Sequence, residues 1–382
     1  MMAGLEAQIQ GLLAVAPYKL EARERDSALL ALLKQELGYA CGRNAPFRNY
    51  VEHWPVDYRG AGRIADLPYL PVGVFKTDPP LTLVERSEII RVLTSSATTR
   101  QAPSRVALDA ATSKRMTKGV TTVIRDFIGS NRRPYLVIDA PTALARTGEL
   151  GARGAAIQGL RSFATEIVCC LRIDAQENLV LEVERLMECA AKWKDAEVLA
   201  YGFTYVIWNQ FVQPLLARGL ALHLPNVRVL HSGGWKRLER QAVTKEAFAQ
   251  GVAAAFGCSP DRVTDFYGMV ENVGVVYPDC EHGNKHVPAF AEVIIRNPLT
   301  LAPVAIGEQG LVQVCSVLPT SFPGFLILTE DIAELIGHDG CPCGRRGPVF
   351  RFLRRAPKAE LRGCGNIEPL RVPLAAMELA HA

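Results

Sequence analysis

No stretch of this 382-residue chain is apolar and uncharged for long enough to cross a bilayer. The opening MMAGLEAQIQGLLAVAPYKL lacks the basic start of a secretory leader. Those two absences make a cytoplasmic protein without a membrane span the expectation. Charge of one sign is also missing: 43 Lys and Arg against 39 Asp and Glu leave +4, which gives no case for a nucleic-acid partner. Internal repeats and low-complexity tails are absent. A disulfide framework is absent as well, although there are ten cysteines. Cys169 and Cys170 are adjacent, and Cys41, Cys189, Cys258 and Cys315 stand alone. Cys280, Cys341, Cys343 and Cys364 gather in the last third with His282 and His286. That grouping suggests thiol or metal chemistry in a reducing compartment.

The length allows a large core and either two or three domains or one elaborated domain. Residues 5–55 carry leucines at helical spacing, with Gly38 as the expected stop. The Pro-rich run 63–80 reads as mostly extended. A strand over 89–93, a helix over 108–128 and a buried strand over 135–139 follow. Residues 148–159 read as a Gly/Ala loop and 176–193 as an amphipathic helix. Further strands fall at 199–203, 227–230 and 263–266, with helices over 206–220 and 245–256. Alternation of this kind predicts an α/β sheet with helices on both faces. From about 288 the pattern changes to strands and turns (FAEVIIR, GLVQVCSV, GFLILTED), which predicts a smaller β-rich subdomain.

Five short constellations carry chemistry, and each has a plainer alternative. Ser95-Ser96-Ala97-Thr98-Thr99 follows a strand, where hydroxyls and backbone N–H groups can wrap phosphate oxygens; a polar surface turn is the alternative. Gly233-Gly234 after a strand lets bare backbone approach a flat ligand, or simply makes a turn. Tyr267-Gly268-Met269-Val270-Glu271 sets an aromatic face near a carboxylate that suits Mg²⁺, a cation that prefers hard oxygen ligands. Its alternative is a core tyrosine and a solvated glutamate. Asp331, after the strand FLILT, can accept two ribose hydroxyls or cap a turn.

The remaining constellation is built on thiols. Cys341-Pro342-Cys343-Gly344 is a common zinc half-site, and Cys280 with His286 can supply the other half, His282 competing. Isolated buried thiols are the alternative. Cys364 lies between glycines near Lys358 and Arg362, a setting that favours an accessible thiolate nucleophile. An ordinary surface thiol or a further metal ligand would look the same. Phe203, Trp208 and Phe211 are candidate walls of a substrate pocket or members of the core.

In this order, HSGGWK (231–236), YGMVE (267–271), LTED (328–331), CPCGR (341–345) and KAELRGC (358–364) resemble the acyl-protein synthetase family of bacterial luminescence systems. That family is a branch of the adenylate-forming (ANL) superfamily near the phenylacetate–CoA ligases. The likeness runs from about Leu67 to Asn366. It implies an α/β fold: a large adenylate-forming domain over 1–355 with layered α/β subdomains and a β-rich part near 288–355. Residues 356–382 would then be a short remnant of the usual C-terminal lid, carrying Cys364.

The resemblance also implies roles. Ser95, Ser96, Thr98 and Thr99 match the phosphate-binding loop, Gly233 and Gly234 the backbone along the adenine, and Tyr267 the aromatic against the base. Glu271 matches the Mg²⁺ ligand, Asp331 the ribose-binding aspartate, and Arg355 the arginine near the hinge. Cys280, His286, Cys341 and Cys343 match a structural Zn²⁺ quartet, and Cys364 the cysteine that becomes acylated. The implied activity joins ATP and a small, apolar, fatty-type carboxylic acid into an acyl-adenylate, then moves the acyl group to Cys364 for a partner such as an acyl reductase. Transfer to CoA, a carrier protein or an amine is the rival acceptor chemistry, and a zinc-stabilised scaffold without catalysis the rival class. Ala97 stands where the family's loop has glycine. If that position needs a positive φ, alanine strains the loop and weakens ATP binding.

Overall fold

The strand VLAYGF (Val198–Phe203) is buried along its whole length, as expected of a parallel strand covered on both faces. It lies at the centre of a sheet that sets the architecture of one of two compact units. The computed structural model describes residues 2–95, 102–144, 150–235 and 242–356. One unit comprises Met1–Val123, Met269–Val275 and the chain from His282; the other comprises Ile124–Gly268 and Val276–Glu281.

In the second unit the sheet order is Tyr277–Pro278, Val263–Tyr267, Val227–Ser232, Val198–Phe203, Arg133–Val137 and Ala164–Cys169. All neighbours run parallel except the first pair. The helix Lys245–Phe256 connects two of these strands and matches the sequence expectation residue for residue. The Thr244 hydroxyl caps it by accepting from Ala247 N at 3.1 Å, and Gly257 ends it in the left-handed region at φ +73°. The expected helix over 206–220 starts earlier, at Thr204, and widens into a π-helix over Trp208–Val212 before Gln213–Leu216. The widening lies just ahead of Pro214, which has no N–H to continue the ladder.

Two expectations for this unit are corrected. Ala152–Gly159, expected as loop, is a helix; its alanines outweigh its glycines in intrinsic preference. The helix expected over 176–193 begins only at Val183, because Leu179–Leu181 pairs with Leu171–Ile173 in a hairpin. An Asp174 side chain that accepts from Gln176 N and Asn178 N makes that turn.

The first unit holds an antiparallel sheet ordered Lys285–His286, Pro348–Arg355, Leu326–His338, Gln309–Ser316 and Ala291–Arg296. This is the expected change to strands in the last third. The Pro-rich run contributes the short strand Leu70–Pro71, parallel to Ile327 and Leu328, flanked by 3₁₀ turns at Ile64–Asp66 and Val72–Lys76. Phe75 meets Phe322 edge-to-face at 5.9 Å, and Phe47 meets Phe325 at 6.0 Å, so the N-terminal segments share that core. The helix Ala22–Arg43 runs through Gly38, which was expected to stop it. Its buried face, with Leu29, Leu32, Leu33 and Leu37, supplies more stability than one glycine removes. Among the described residues no helix is long and apolar enough to cross a membrane.

Candidate functional site

In the first unit, the hairpin Arg91–Thr94 and Arg105–Leu108 leads into the hydroxyl-rich segment. Ser95 closes its base twice: its N–H donates to Ser104 O at 2.9 Å, and its Oγ accepts from Ser104 N at 2.8 Å. Ser96, Ala97, Thr98 and Thr99 lie outside the described residues. The buried Ser104 side chain hydrogen-bonds Glu271. Glu271 is itself only 5 % exposed, so it is not the solvated glutamate of the plainer reading. Burial pushes its carboxyl above the usual range; the Ser104 bond opposes that, Asp331 adds to it and the Arg355 charge opposes it.

Asp331 and Arg355 are register partners on adjacent strands. Glu330, next to Asp331, is 3.5 Å from Arg355 Nη2 and 3.9 Å from Lys76 Nζ. The first unit therefore brings together a hydroxyl loop base, three carboxylates and two cations. That composition fits phosphate, ribose and Mg²⁺.

In the second unit, Phe203, Ser232 and Tyr267 end three adjacent parallel strands. Ligands of open α/β sheets bind outside such carboxyl ends. Gly233 has φ +87° and Gly234 φ +56°, and a Cβ on Gly233 would stand 3.0 Å from the Phe203 ring. Glycine is needed there on both counts. Tyr267 stacks with Tyr277 at 5.8 Å and 27°, which holds one aromatic face in place. Asp139, two residues beyond the neighbouring strand Arg133–Val137, is buried, with Arg153 Nη2 at 2.6 Å. Burial raises the Asp139 pKa, and the guanidinium opposes that rise. Of the candidate walls, Phe203 lies against Gly233. Trp208 is half-buried, with Trp235 at 6.1 Å and Phe248 at 5.9 Å. Phe211 is core, fully buried on Phe256 at 4.8 Å.

The thiol constellation converges. One ligand atom from each of Cys280, His286, Cys341 and Cys343 lies within 4.8 Å of every other; His282 is not in the group. His286 Nε2 is 3.2 Å from Cys343 Sγ. A tetrahedral zinc with bonds of about 2.3 Å to sulfur has donor separations of roughly 3.8 Å, so three sulfurs and one imidazole at these distances fit that ion. The local fold explains the knuckle. Asp339 N donates to Gly347 O at 3.1 Å and Asp339 Oδ1 accepts from Gly347 N at 2.6 Å, closing the loop. Within it, Gly344 N donates to Cys341 O at 3.0 Å, with Gly344 at φ +77°. His286 pairs with Val349 on the next strand, beside that loop.

Cys364 lies outside the described residues. Sequence reasoning missed Ser104 and Arg153, neither of which lies in a recognisable motif. A cavity of 500 Å³ among the N-terminal helices, lined by Leu5, Tyr39, Cys41, Tyr58 and Arg59 among others, holds none of the candidate residues. It offers no carboxylate or loop suited to a nucleotide.

A family model described as "Acyl-protein synthetase, LuxE" matches residues 6–369. The long-chain-fatty-acid–luciferin-component ligase of Vibrio harveyi is 28% identical over 137 residues, 36% of this chain and 35% of that protein. Its Aliivibrio fischeri counterpart is 29% identical over 142 residues, 36% of each. These matches span about a third of the curated relatives' length. Among solved structures, an open form of 2-hydroxyisobutyryl-CoA ligase superposes with a TM-score of 0.68 at 16% identity. That match covers 88% of this chain and 76% of the other. A post-adenylation form of that ligase gives 0.67 at 17%. At that identity the likeness establishes the adenylate-forming fold.

Proposed function

Because the chain belongs to the LuxE acyl-protein synthetase family, we propose that it activates a carboxylic acid with ATP and passes the acyl group on as a thioester. The acid's carboxylate attacks the α-phosphorus, the bond to the bridging oxygen breaks, and acyl-adenylate and pyrophosphate result. The thiolate of Cys364 then attacks the acyl carbon and AMP leaves. A thioester keeps that carbon electrophilic, ready for a partner such as an acyl reductase or a carrier protein. The observation that carries this reading is the chain of contacts Ser95–Ser104–Glu271 with Asp331 and Arg355 beside it. It joins the base of a hydroxyl loop to a buried carboxylate able to hold a cation.

In this reading Ser95, Ser96, Thr98 and Thr99 bind phosphate oxygens, Glu271 holds Mg²⁺, Asp331 takes the ribose hydroxyls and Arg355 stabilises charge nearby. Gly233, Gly234 and Tyr267 flank the adenine. Mg²⁺, when bound, offsets negative charge on the phosphates. Cys280, His286, Cys341 and Cys343 hold a structural Zn²⁺. Residues 1–355 make the adenylating domain and 356–382 carry the acceptor. The relatives' name supports a long-chain fatty acid as substrate, and a cysteine pattern unlike a disulfide framework supports a cytoplasmic setting.

The test is intact-protein mass after incubation with ATP, Mg²⁺ and a panel of fatty and aromatic acids, alongside Cys364→Ser. An acyl-sized gain, removed by hydroxylamine and missing in the variant, is the expected result. Turnover without an adduct would move the acceptor to CoA, a carrier thiol or an amine. Absence of ATP–pyrophosphate exchange, restored by Ala97→Gly, would favour a scaffold.

A further inference from the structure

One hydroxyl ties together the strand ends of the second unit. Thr204 Oγ1 lies 3.1 Å from the Ser232 carbonyl oxygen and 3.0 Å from His231 Nδ1. A carbonyl oxygen only accepts, so the single Thr204 hydrogen goes to Ser232. The other contact must then be His231 Nδ1–H donating to Thr204 Oγ1. This fixes the neutral imidazole in the tautomer protonated at Nδ1. The Asp265 carboxylate, 3.7 Å from the same nitrogen, favours a proton there too.

His231 and Asp265 face each other in the register of adjacent strands, and Asp265 stands two residues before Tyr267. The His231 ring rests on Phe248 at 4.5 Å. The Tyr201 hydroxyl is 2.9 Å from Ser232 Oγ. Tyr201, Thr204, His231 and Ser232 are all buried. The hydrogen bonds thus join the strand ending at Phe203 to the one ending at Ser232, and the His231–Asp265 approach at 3.7 Å extends the contact to the one ending at Tyr267.

We propose that Thr204 and His231 are positioning residues for nucleotide binding, bracing Gly233-Gly234 and Tyr267 so that the base-binding slot exists before ATP arrives. The inference rests on the adenylation reading. Two consecutive glycines at positive φ have little stiffness of their own. Without the brace, ATP would have to order them, and apparent affinity would fall by the fraction of time the slot is formed. Neither residue is assigned a contact with the reacting atoms, so the effect belongs in the KM for ATP and not in the chemical step.

The experiment compares the full chain with Thr204→Val, which keeps the shape and removes the hydroxyl, and Thr204→Ser, which restores it. ATP–pyrophosphate exchange gives KM for ATP, KM for the acid and kcat, and direct titration gives ATP binding. Long-range ¹H–¹⁵N spectra of histidine-labelled protein give the His231 tautomer. The valine variant is expected to raise KM for ATP about tenfold, leave kcat and the acid KM near wild type, and shift the His231 Nδ1 resonance, whose hydroxyl partner is gone. Serine should reverse both changes. A wild-type His231 protonated at Nε2 overturns the proposal without reference to any variant. So does an unchanged KM for ATP in Thr204→Val, or a uniform loss of every parameter that serine fails to restore. Wild-type protein that neither exchanges pyrophosphate nor binds ATP overturns the adenylation reading itself, and the brace with it.

Discussion

Glu36 lies on the helix Ala22–Arg43 with both carboxylate oxygens buried and no hydrogen bond to either. Burial raises its pKa well above the ordinary range, and the charge of Arg115 only partly opposes this. Arg115 is already engaged by the Leu318 carbonyl, the Thr320 hydroxyl and Glu6. With the folded pKa above the unfolded one, the folded state holds a proton that the unfolded chain releases. Stability is therefore greatest below the ordinary glutamate range and declines as pH rises toward the folded pKa, by at most about 1.4 kcal/mol per pH unit. Glu36→Gln should remove this slope. Its melting temperature should pull ahead of wild type as the pH rises above the ordinary glutamate range, and parallel pH profiles would refute the assignment. At the thiol knuckle, Cys343→Ser should cut bound zinc from about one per chain toward none, read by elemental analysis, and lower the melting temperature. The half-site Cys341 and Cys343 was legible in sequence because a Cys-X-Cys turn with a flanking glycine has few other uses. The burial of Glu271 was not, since it depends on Ser104, which no motif marks.

Two helical glycines show what an element inherits from its surroundings. Gly42, in the last turn of Ala22–Arg43, and Gly251, in the middle of Lys245–Phe256, are both poor helix formers by intrinsic preference. A Cβ on Gly42 would meet nothing within 4 Å, whereas one on Gly251 would stand 2.6 Å from the Trp208 ring. Gly42→Ala should stabilise the protein by about 0.5–1 kcal/mol. Gly251→Ala should destabilise it by about 1–3 kcal/mol through overpacking. Chemical denaturation of both variants checks the pair, and the same sign for both would contradict the contact between Gly251 and Trp208. Sequence periodicity located the helix Lys245–Phe256 to the residue because both caps are written locally, in Thr244 and Gly257. It misread 176–181 because the Asp174 turn and the hairpin pairing of Leu179–Leu181 compete with helical spacing, and the pairing depends on a partner strand.

For the whole chain, a ligand that binds only the folded state must raise its stability. ATP with Mg²⁺ at a hundredfold excess over Kd should add about 2.7 kcal/mol, seen as a rise in melting temperature. Asp331→Ala should abolish most of that rise while the ligand-free melting temperature stays near wild type. An undiminished rise would remove Asp331 from the ribose role.

The order of short motifs along the chain determined the family, the class of chemistry proposed for it and the division between alternating α/β segments and a β-rich last third. Each of these is written in residues within a few positions of one another, where hydrophobic period, turn glycines and paired thiols act directly. Tertiary structure alone decided that Glu271 is buried against Ser104, that His286 and not His282 joins the three thiols, and that Thr204 ties two strand ends. It also separated Phe211, which is core, from Phe203, which lies along the glycines. These outcomes depend on partners tens to hundreds of residues away, and a hydrogen bond or a van der Waals contact is specified only when both sides are in place.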